Sequence, residues 1–592
     1  MTAPLPHRLL RRAIVRDPHG HPDRWLSFRR PRRSVSVWEF DEVLGAIDDA
    51  ERAALDGAWV VAMVSYDAGP ACDDAIVARR DPTVPLMAYA VFDRPDHGHA
   101  FDGVDRGDES GADEPTFLAT GWSPEIDRRR YEEAFRRVKD HIALGQTYQV
   151  NLTLRLRAAF AGDPEGLFRA MNRLEQARHG AFLDLGDAAV CSASPELFFH
   201  RRGDVLTSRP MKGTRPRSLD PDRDEALAKE LAASEKDRAE NTMIVDMTRN
   251  DLARVADLGT VAVPRLHQLE PYRTVHQLTS TVTARSTAPL SRIFAATFPG
   301  ASITGAPKVR TCELITEIES SPRGIYTGTI GVIAPGGDSE WNIAIRTAWI
   351  DRARDQAVYG VGGGIVWDST VDDEWTEAQH KSRVLLRSSR PFLLLETSVW
   401  EPDTGVRLAR RHLDRMARSA LAFGFDFDRA EAEQTMATIE ADEPRLVRLL
   451  LHADGRIDRE LHPLPDPVPE PWDVPLDDAP VDRFDEFLHH KTTRRDRYEA
   501  ARRRHPDAPD VILWNDDRML TETTIGNLVV HLDGVAWTPP RSAGLLAGTM
   551  RAELLDRGEI TERPLHVNDL LRAERVEMIN SVRGRVALQP RR

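Results

Sequence analysis

Cysteine is almost absent from this chain: Cys72, Cys191 and Cys312 are the only three in 592 residues, far apart and without a CxxC pair. Such a set supports neither a disulfide framework nor a cysteine zinc site, and buried thiols are the better reading. An excess of positive charge is also missing. Lys and Arg number 80 against 94 Asp and Glu, for a formal net charge of −14, which argues against nucleic-acid binding because phosphate contacts need a basic surface. No apolar run reaches the roughly 18 residues that span a bilayer, so no membrane segment is expected. The basic residues near the start, up to Arg8, are not followed by an apolar stretch of signal-peptide length, and a cytoplasmic location is the expectation.

What is present is ordinary soluble composition, 41% hydrophobic and 29% charged. A chain this long exceeds a single hydrophobic core, so several domains of roughly 100–250 residues are expected. Residues 94–115 are rich in Gly, Asp and Pro and predict a mobile loop. Tyr131, Phe135, Val138 and Ile142 recur at helical spacing, with Gly145 placed as a C′ cap. A second helix is predicted from Glu225 to about Ala256, through Leu227, Leu231, Ile244, Met247 and Leu252. Short apolar segments at Ala188–Val190, Leu197–Phe199 and Val205–Leu206 predict strands, so the class is α+β. Seven prolines between Leu461 and Pro480 predict an extended linker without helix or central strand. There is no internal repeat of fixed period.

Four blocks between 190 and 385 carry chemically pointed residues. The first is Ser192-Ala193-Ser194-Pro195-Glu196-Leu197-Phe198-Phe199, with Pro210-Met211-Lys212-Gly213-Thr214 behind it. The second runs from Ser234 through Glu240-Asn241 to Asp246. The third is Phe298-Pro299-Gly300-Ala301-Ser302-Ile303-Thr304-Gly305-Ala306-Pro307-Lys308. The fourth runs from Tyr326 through Arg346 and the glycines at 360 and 362–364 to an acidic helix holding Glu374, Glu377 and Lys381.

In this order the blocks resemble the chorismate-utilising family, which includes anthranilate, aminodeoxychorismate, isochorismate and salicylate synthases. The resemblance covers residues 120–388 and implies a two-sheet sandwich with flanking helices. Residues 1–120 would be its N-terminal part and 121–388 the catalytic part. It implies Mg²⁺ ligated by Glu240 and Glu377, a hydrated hard cation held by few carboxylates plus substrate oxygen. Arg346, Tyr326, the Gly362-Gly363 backbone and Lys381 would hold carboxylates of chorismate, the guanidinium of Arg346 bidentately. His276 would stand near the leaving group.

Position 212 separates the branches of the family. Anthranilate synthases typically carry alanine there, whereas the aminodeoxychorismate branch carries a lysine nucleophile. Lys212 would thus attack C2 of chorismate while the C4 hydroxyl leaves, splitting one substitution into two displacements. Glu196 matches the general acid that protonates the departing hydroxyl. The attacking amine must be neutral, which a desolvated pocket favours. Thr304 fits the branches that take ammonia rather than water. None of the three cysteines sits in a Gly-x-Cys-x-Gly turn, so a separate glutamine amidotransferase subunit is expected to supply ammonia.

After residue 390 the character changes. The run Phe392-Leu393-Leu394-Leu395-Glu396-Thr397, then Arg411-His412-Leu413-Asp414-Arg415, opens a region that resembles the class IV pyridoxal-phosphate enzymes to the C-terminus. These include aminodeoxychorismate lyase and the branched-chain and D-amino-acid aminotransferases. The likeness implies that Arg415, Thr549, Met550 and Ser581 hold the cofactor phosphate, that Lys491 bonds covalently to the cofactor, and that Glu522 faces its ring nitrogen. One departure is that the fold's usual N-terminal strand is short or missing before Leu393. The likeness allows a homodimer through this domain without specifying its contacts. Joined to an aminating chorismate enzyme, a lyase that expels pyruvate to give 4-aminobenzoate, a folate precursor, matches product to substrate. An anthranilate-type synthase joined to an aminotransferase, and a non-catalytic C-terminal scaffold, are the alternatives.

Overall fold

Strand Trp59–Val64, WVVAMV, is apolar at every position because both of its faces are covered. Val60, Ala62 and Val64 enter one core while Val61 and Met63 enter another. The computed structural model describes residues 8–18, 24–96, 117–175, 177–218, 221–272, 275–388, 392–483 and 485–591. These residues form two units, Met1–Pro391 and Phe392–Arg592.

Among the described residues of the first unit, two large antiparallel sheets lie face to face. Ala13, Val15, Leu183, Val190 and Trp349 of one sheet meet Val61, Met63, Ala88 and Phe92 of the other. Each outer face is closed by helices. Helices Arg128–Ala143, Pro164–Glu175, Lys308–Ile318 and Val371–Ser388 contribute to a core with Phe182, Ala348, Tyr359 and Val361. Helices Phe40–Leu55, Glu235–Ala253 and Leu290–Thr297 pack on the other side with Phe199, Leu206, Val282 and Trp341. The expected sandwich with flanking helices is the observed architecture.

The helix expected at Tyr131 spans Arg128–Ala143, and Gly145 takes φ +69 just beyond its end. The single helix expected from Glu225 to Ala256 is instead two, Pro221–Ala233 and Glu235–Ala253. Ser234 divides them: its φ/ψ is extended and its hydroxyl accepts from the Asp237 N–H at 3.2 Å, so it caps a new helix instead of continuing the old one. Residues 97–115 of the expected mobile loop lie outside the described residues.

The second unit opens directly on strand Leu394–Glu401, which pairs with Gly405–Val406 and Arg445–Leu451; Ile457–His462 completes this four-stranded sheet. Helix Ala409–Phe423 buries Leu413, Met416, Ala420 and Phe423 against its Leu394, Leu449 and Leu451. A second, eight-stranded sheet has Arg575–Asn580 and Asn527–Leu532 near its centre. The proline-rich stretch is less detached than the sequence implies. Between Pro471 and Pro475, Trp472–Val474 forms an edge strand parallel to Gly584–Pro590, with Trp472 and Val474 buried. An edge position suits the prolines, since one side of the ladder needs no donors.

Candidate functional site

In the first unit, Lys212 lies on strand Met211–Pro216, paired with Val275–Arg285 through a register shift between Met211 and Thr214. Gly213 sits in that irregularity at φ +85, where a Cβ would approach Asp237 to 2.9 Å. The half-buried Lys212 directs its Nζ to within 3.3 Å of the place a Cβ would occupy on Gly364.

Glu196 is buried immediately before strand Leu197–Arg202 of the same sheet. Its N–H donates to Ser194 Oγ at 3.2 Å, and its carbonyl accepts from the Ile343 N–H at 3.0 Å. Burial pushes its carboxyl above the ordinary range, against the opposing pull of the Ser302 hydroxyl and of Lys212 and Lys381. A carboxyl whose pKa burial raises, standing within the field of two lysines, has the properties of a proton donor.

Two helices contribute the remaining carboxylates: Glu240 from Glu235–Ala253, and Glu374 and Glu377 from Val371–Ser388. Burial raises Glu240, with Lys212 and Lys236 opposing and Asp237 and Glu377 adding to the rise. Glu377 is held low by Lys381, whose Nζ is 2.7 Å away. Glu374 Oε1 accepts from Ser369 Oγ at 2.7 Å, while its Oε2 is buried with no hydrogen-bond partner. Among the described residues no three His, Cys, Asp or Glu side chains converge as a ready-made metal cage. The orphaned Glu374 oxygen, which faces the Gly363 backbone together with Glu377, nevertheless fits a cation that keeps water and substrate in its shell.

Among the residues expected to bind carboxylates, Lys381 donates to the Gly362 carbonyl at 2.8 Å; burial opposes its charge, but Glu377 raises its pKa above the ordinary value. Tyr326 is buried with its ring against Gly360, where any Cβ would overlap it. Arg346 is half-buried with φ +49, and enclosure lowers its pKa. Thr304 is fully enclosed, its hydroxyl donating to the Gly300 carbonyl at 3.0 Å.

His276 Nε2 is 3.0 Å from Asp224 of helix Pro221–Ala233, and its Nδ1 is buried without a hydrogen-bond partner. Its neighbour Gln277, on the opposite face of the strand, donates to the Gly213 carbonyl at 2.8 Å and accepts from Thr214 Oγ1 at 2.9 Å. Gln149 was not picked out by sequence. It is 1% exposed, both atoms of its amide lack partners, and its Nε2 lies 3.0 Å from the Cβ position of Gly364, beside Lys212. It opens a strand whose alternate positions Asn151, Thr153, Arg155 and Arg157 are also polar, so its composition did not set it apart.

In the second unit, Lys491 follows the short helix Glu486–His489, and its carbonyl accepts from the Leu395 N–H at 3.0 Å. Burial, with Arg415 and Arg495 nearby, brings its amine down to about 7. Glu522, in strand Leu520–Thr523, is pushed up to about 8 by burial. Tyr498 Oη at 2.7 Å and the Leu546 N–H at 3.2 Å donate to it. Arg415 is gripped by Glu396 through Nε at 2.8 Å and Nη2 at 2.6 Å, leaving Nη1 directed at the Ala547 carbonyl, 3.2 Å away. Glu396 is held at about 2: burial opposes its charge, but Arg415 and His412 more than compensate.

Thr549 begins helix Thr549–Asp556, its hydroxyl 3.3 Å from His412 Nε2. Gly548 before it lies so close to Asn527 that a Cβ would overlap the amide oxygen. Met550 is partly buried and packs against the cluster of Val529, Leu554, Ile560 and Ile579. Ser581 is buried and donates to the Thr397 carbonyl at 3.2 Å. Sequence reasoning missed Glu396, His412 and Tyr498. A lowered lysine, a buried carboxyl, an arginine and a helix start are the donor set that a phosphorylated pyridine carbaldehyde needs.

Residues 21–387 match the family described as chorismate binding enzyme, and residues 393–588 match amino-transferase class IV. The chain is 44% identical over 274 residues to aminodeoxychorismate synthase component 1 of Klebsiella aerogenes, 45% of this chain and 60% of that protein. It is 40% identical over 378 residues to an anthranilate synthase component 1 of Haloarcula marismortui, 62% of this chain and 74% of that protein. It thus spans about 60% of the aminodeoxychorismate synthase relative. The fold resembles that of anthranilate synthase component I from Streptococcus pneumoniae, with TM-score 0.53 and 24% identity over 64% of this chain and 92% of that one.

Proposed function

Because the chain belongs to the chorismate binding enzymes, we propose that its first unit aminates chorismate at C4 and that its second unit expels pyruvate from the product, giving 4-aminobenzoate. The observation that carries this reading is Lys212 at the Gly364 backbone, within the field of Glu196, whose carboxyl burial raises, and of the carboxyl groups at 240 and 377.

In the first unit Arg346, Lys381 and the Gly362-Gly363 backbone would bind the substrate's carboxylates, and Glu240, Glu374 and Glu377 would hold Mg²⁺. When bound, the cation would neutralise and orient a carboxylate. Glu196 would give its proton to the C4 hydroxyl as Lys212 Nζ attacks C2, so water departs. Ammonia then bonds to C4, the C2–N bond to Lys212 breaks, and Glu196 recovers a proton from the incoming nitrogen. The net change exchanges hydroxyl for amine, with water as the second product. Relatives named component 1 support a separate glutaminase as the ammonia source.

In the second unit Arg415, the Gly548-Thr549 turn and Ser581 would hold the phosphate of pyridoxal phosphate, and Glu522 its ring nitrogen. When bound, that cofactor supplies an electron sink. Lys491, with its pKa of about 7, would be the base and acid that moves the proton. Similarity to anthranilate synthases supports a second reading, amination at C2.

Mass spectrometry of the 592-residue protein with chorismate, ammonium, Mg²⁺ and pyridoxal phosphate tests both readings. We expect 4-aminobenzoate from wild type, no arene from Lys212→Ala, and accumulated aminodeoxychorismate from Lys491→Ala. Formation of 2-aminobenzoate, or of no arene by wild type, overturns the proposal.

A further inference from the structure

Behind Tyr326, three charged side chains are enclosed almost completely. Arg155 of strand Gln149–Gly162 is 1% exposed, and Glu319 and Arg323, which follow helix Lys308–Ile318, are each 5% exposed. Glu319 Oε2 lies 3.0 Å from Arg155 Nη2, and its Oε1 lies 2.7 Å from Arg323 Nη2. One carboxylate thus answers two guanidiniums. Burying ions is costly unless the remaining donors find partners, and the partners of Arg323 are informative. Its Nη1 donates to the Ile303 carbonyl at 2.7 Å and its Nη2 to the Asn151 carbonyl at 2.7 Å.

Ile303 immediately precedes Thr304. The same Ile303 carbonyl also accepts from Asn151 Nδ2 at 3.1 Å, and the Asn151 N–H donates to the Thr304 carbonyl at 2.7 Å. At its other end Arg323 accepts from the Tyr326 N–H at 3.1 Å, and Arg155 lies over the Tyr326 ring at 5.6 Å. A single planar fork therefore joins the Thr304 turn to the Tyr326 turn, which approach the pocket from different parts of the chain. Lysine retains the charge but lacks the geometry to serve two carbonyls and a carboxylate together.

We propose that Arg323 is a positioning residue for nucleophile choice: by fixing the Ile303 carbonyl it sets where Thr304 stands relative to the ring held by Tyr326, and so favours ammonia over water at the reacting carbon. This rests on the reading of the first unit as a chorismate-aminating site.

The test uses full-length Arg323→Lys and Asn151→Ala with chorismate, Mg²⁺ and varied ammonium chloride. It measures the KM for ammonium, the KM for chorismate, the ratio of aminated to hydroxylated product by mass spectrometry, and thermal melting. Each lost hydrogen bond predicts a rise in ammonium KM, about tenfold for Arg323→Lys and about threefold for Asn151→Ala, with hydroxylated product appearing. The chorismate KM stays within about twofold of wild type. Asn151→Ala leaves every Arg323 side chain donor in place, so it decides the matter if Arg323→Lys fails to fold. An unchanged ammonium KM and product ratio in folded Asn151→Ala overturns the inference, as does a uniform loss that only tracks melting. Wild type that consumes no chorismate overturns this inference and the proposed function together. Wild type that makes 2-aminobenzoate overturns only the proposed C4 regiochemistry, and a raised ammonium KM in the variants then still supports Arg323.

Discussion

A Cβ added at Gly363 would stand 2.6 Å from Glu374 Oε2, the buried carboxylate oxygen without a hydrogen-bond partner. Strand Gln356–Ile365 and helix Val371–Ser388 therefore meet with no space for a side chain at this point. Gly363→Ala must displace the carboxylate. Under the proposed function, the Mg²⁺ concentration for half-maximal chorismate turnover should rise by about 10- to 100-fold, as when a ligand's support is disturbed. An unchanged Mg²⁺ requirement would remove Glu374 from the cation site.

Glu196 supplies the second prediction. Burial raises its carboxyl above the ordinary value, so the protonated, donating form persists to higher pH than for a solvent-exposed glutamate. Turnover of chorismate should fall as pH rises through that raised pKa. Glu196→Gln keeps the shape and loses the proton, so turnover should drop by about 10²- to 10⁴-fold while chorismate KM changes little. A pH–rate profile that keeps the same alkaline limb in the glutamine variant would assign that limb to another group.

What was legible in the sequence was mostly local. The strands at Ala188–Val190, Leu197–Phe199 and Val205–Leu206 and the helix face of Tyr131, Phe135 and Val138 follow from apolar spacing, and each lies in an element of the expected type. The break at Ser234 was missed because large apolar residues resume beyond it at Met243 and Ile244, while the serine's capping of Asp237 is set by one hydroxyl. Neighbouring residues on a strand face opposite ways, so His276 and Gln277 could not be told apart by composition. The register pairs both with the Lys212 strand, Gln277 with Thr214 and His276 with Arg215, and only their side-chain partners separate them: Gly213 and Thr214 for Gln277, Asp224 for His276. Glu396 and Arg415 are nineteen positions apart and meet only when strand Leu394–Glu401 packs on helix Ala409–Phe423. Gln149 and the Arg155–Glu319–Arg323 group owe their significance to enclosure, which polarity alone does not reveal.

Lys491 gives the third prediction. Burial, reinforced by Arg415 and Arg495, lowers its amine from 10.5 to about 7. Its neutral form therefore grows in as pH rises through about 7, where an ordinary lysine is still fully charged. Uptake of pyridoxal phosphate, followed by the absorbance of the lysine-bound cofactor, should accelerate with pH and reach half of its limiting rate near that value. Lys491→Ala should lack the band. A rate that keeps rising toward the pKa of a solvent-exposed lysine would show that this amine is not desolvated in solution.

Glu522 gives the fourth, with the opposite sign to a paired carboxylate. Its carboxyl is raised from 4.5 to about 8, chiefly by burial, and the donors Tyr498 Oη and the Leu546 N–H only partly offset this. The folded protein without cofactor thus holds a proton that the unfolded chain releases above its ordinary carboxylate pKa. The stability tied to that neutral carboxyl is fully present below 4.5 and is lost as pH rises through about 8, at no more than about 1.4 kcal/mol per pH unit. Glu522→Gln carries a neutral group at every pH. Relative to wild type it should therefore gain stability steadily from about pH 5 to about pH 8, measured by urea unfolding without cofactor. Adding pyridoxal phosphate should reverse the ranking, because the carboxylate then has a protonated ring nitrogen as counter-ion and the amide does not. If the two proteins keep parallel pH–stability curves, Glu522 is already ionised near neutral pH and the desolvation argument for its site fails.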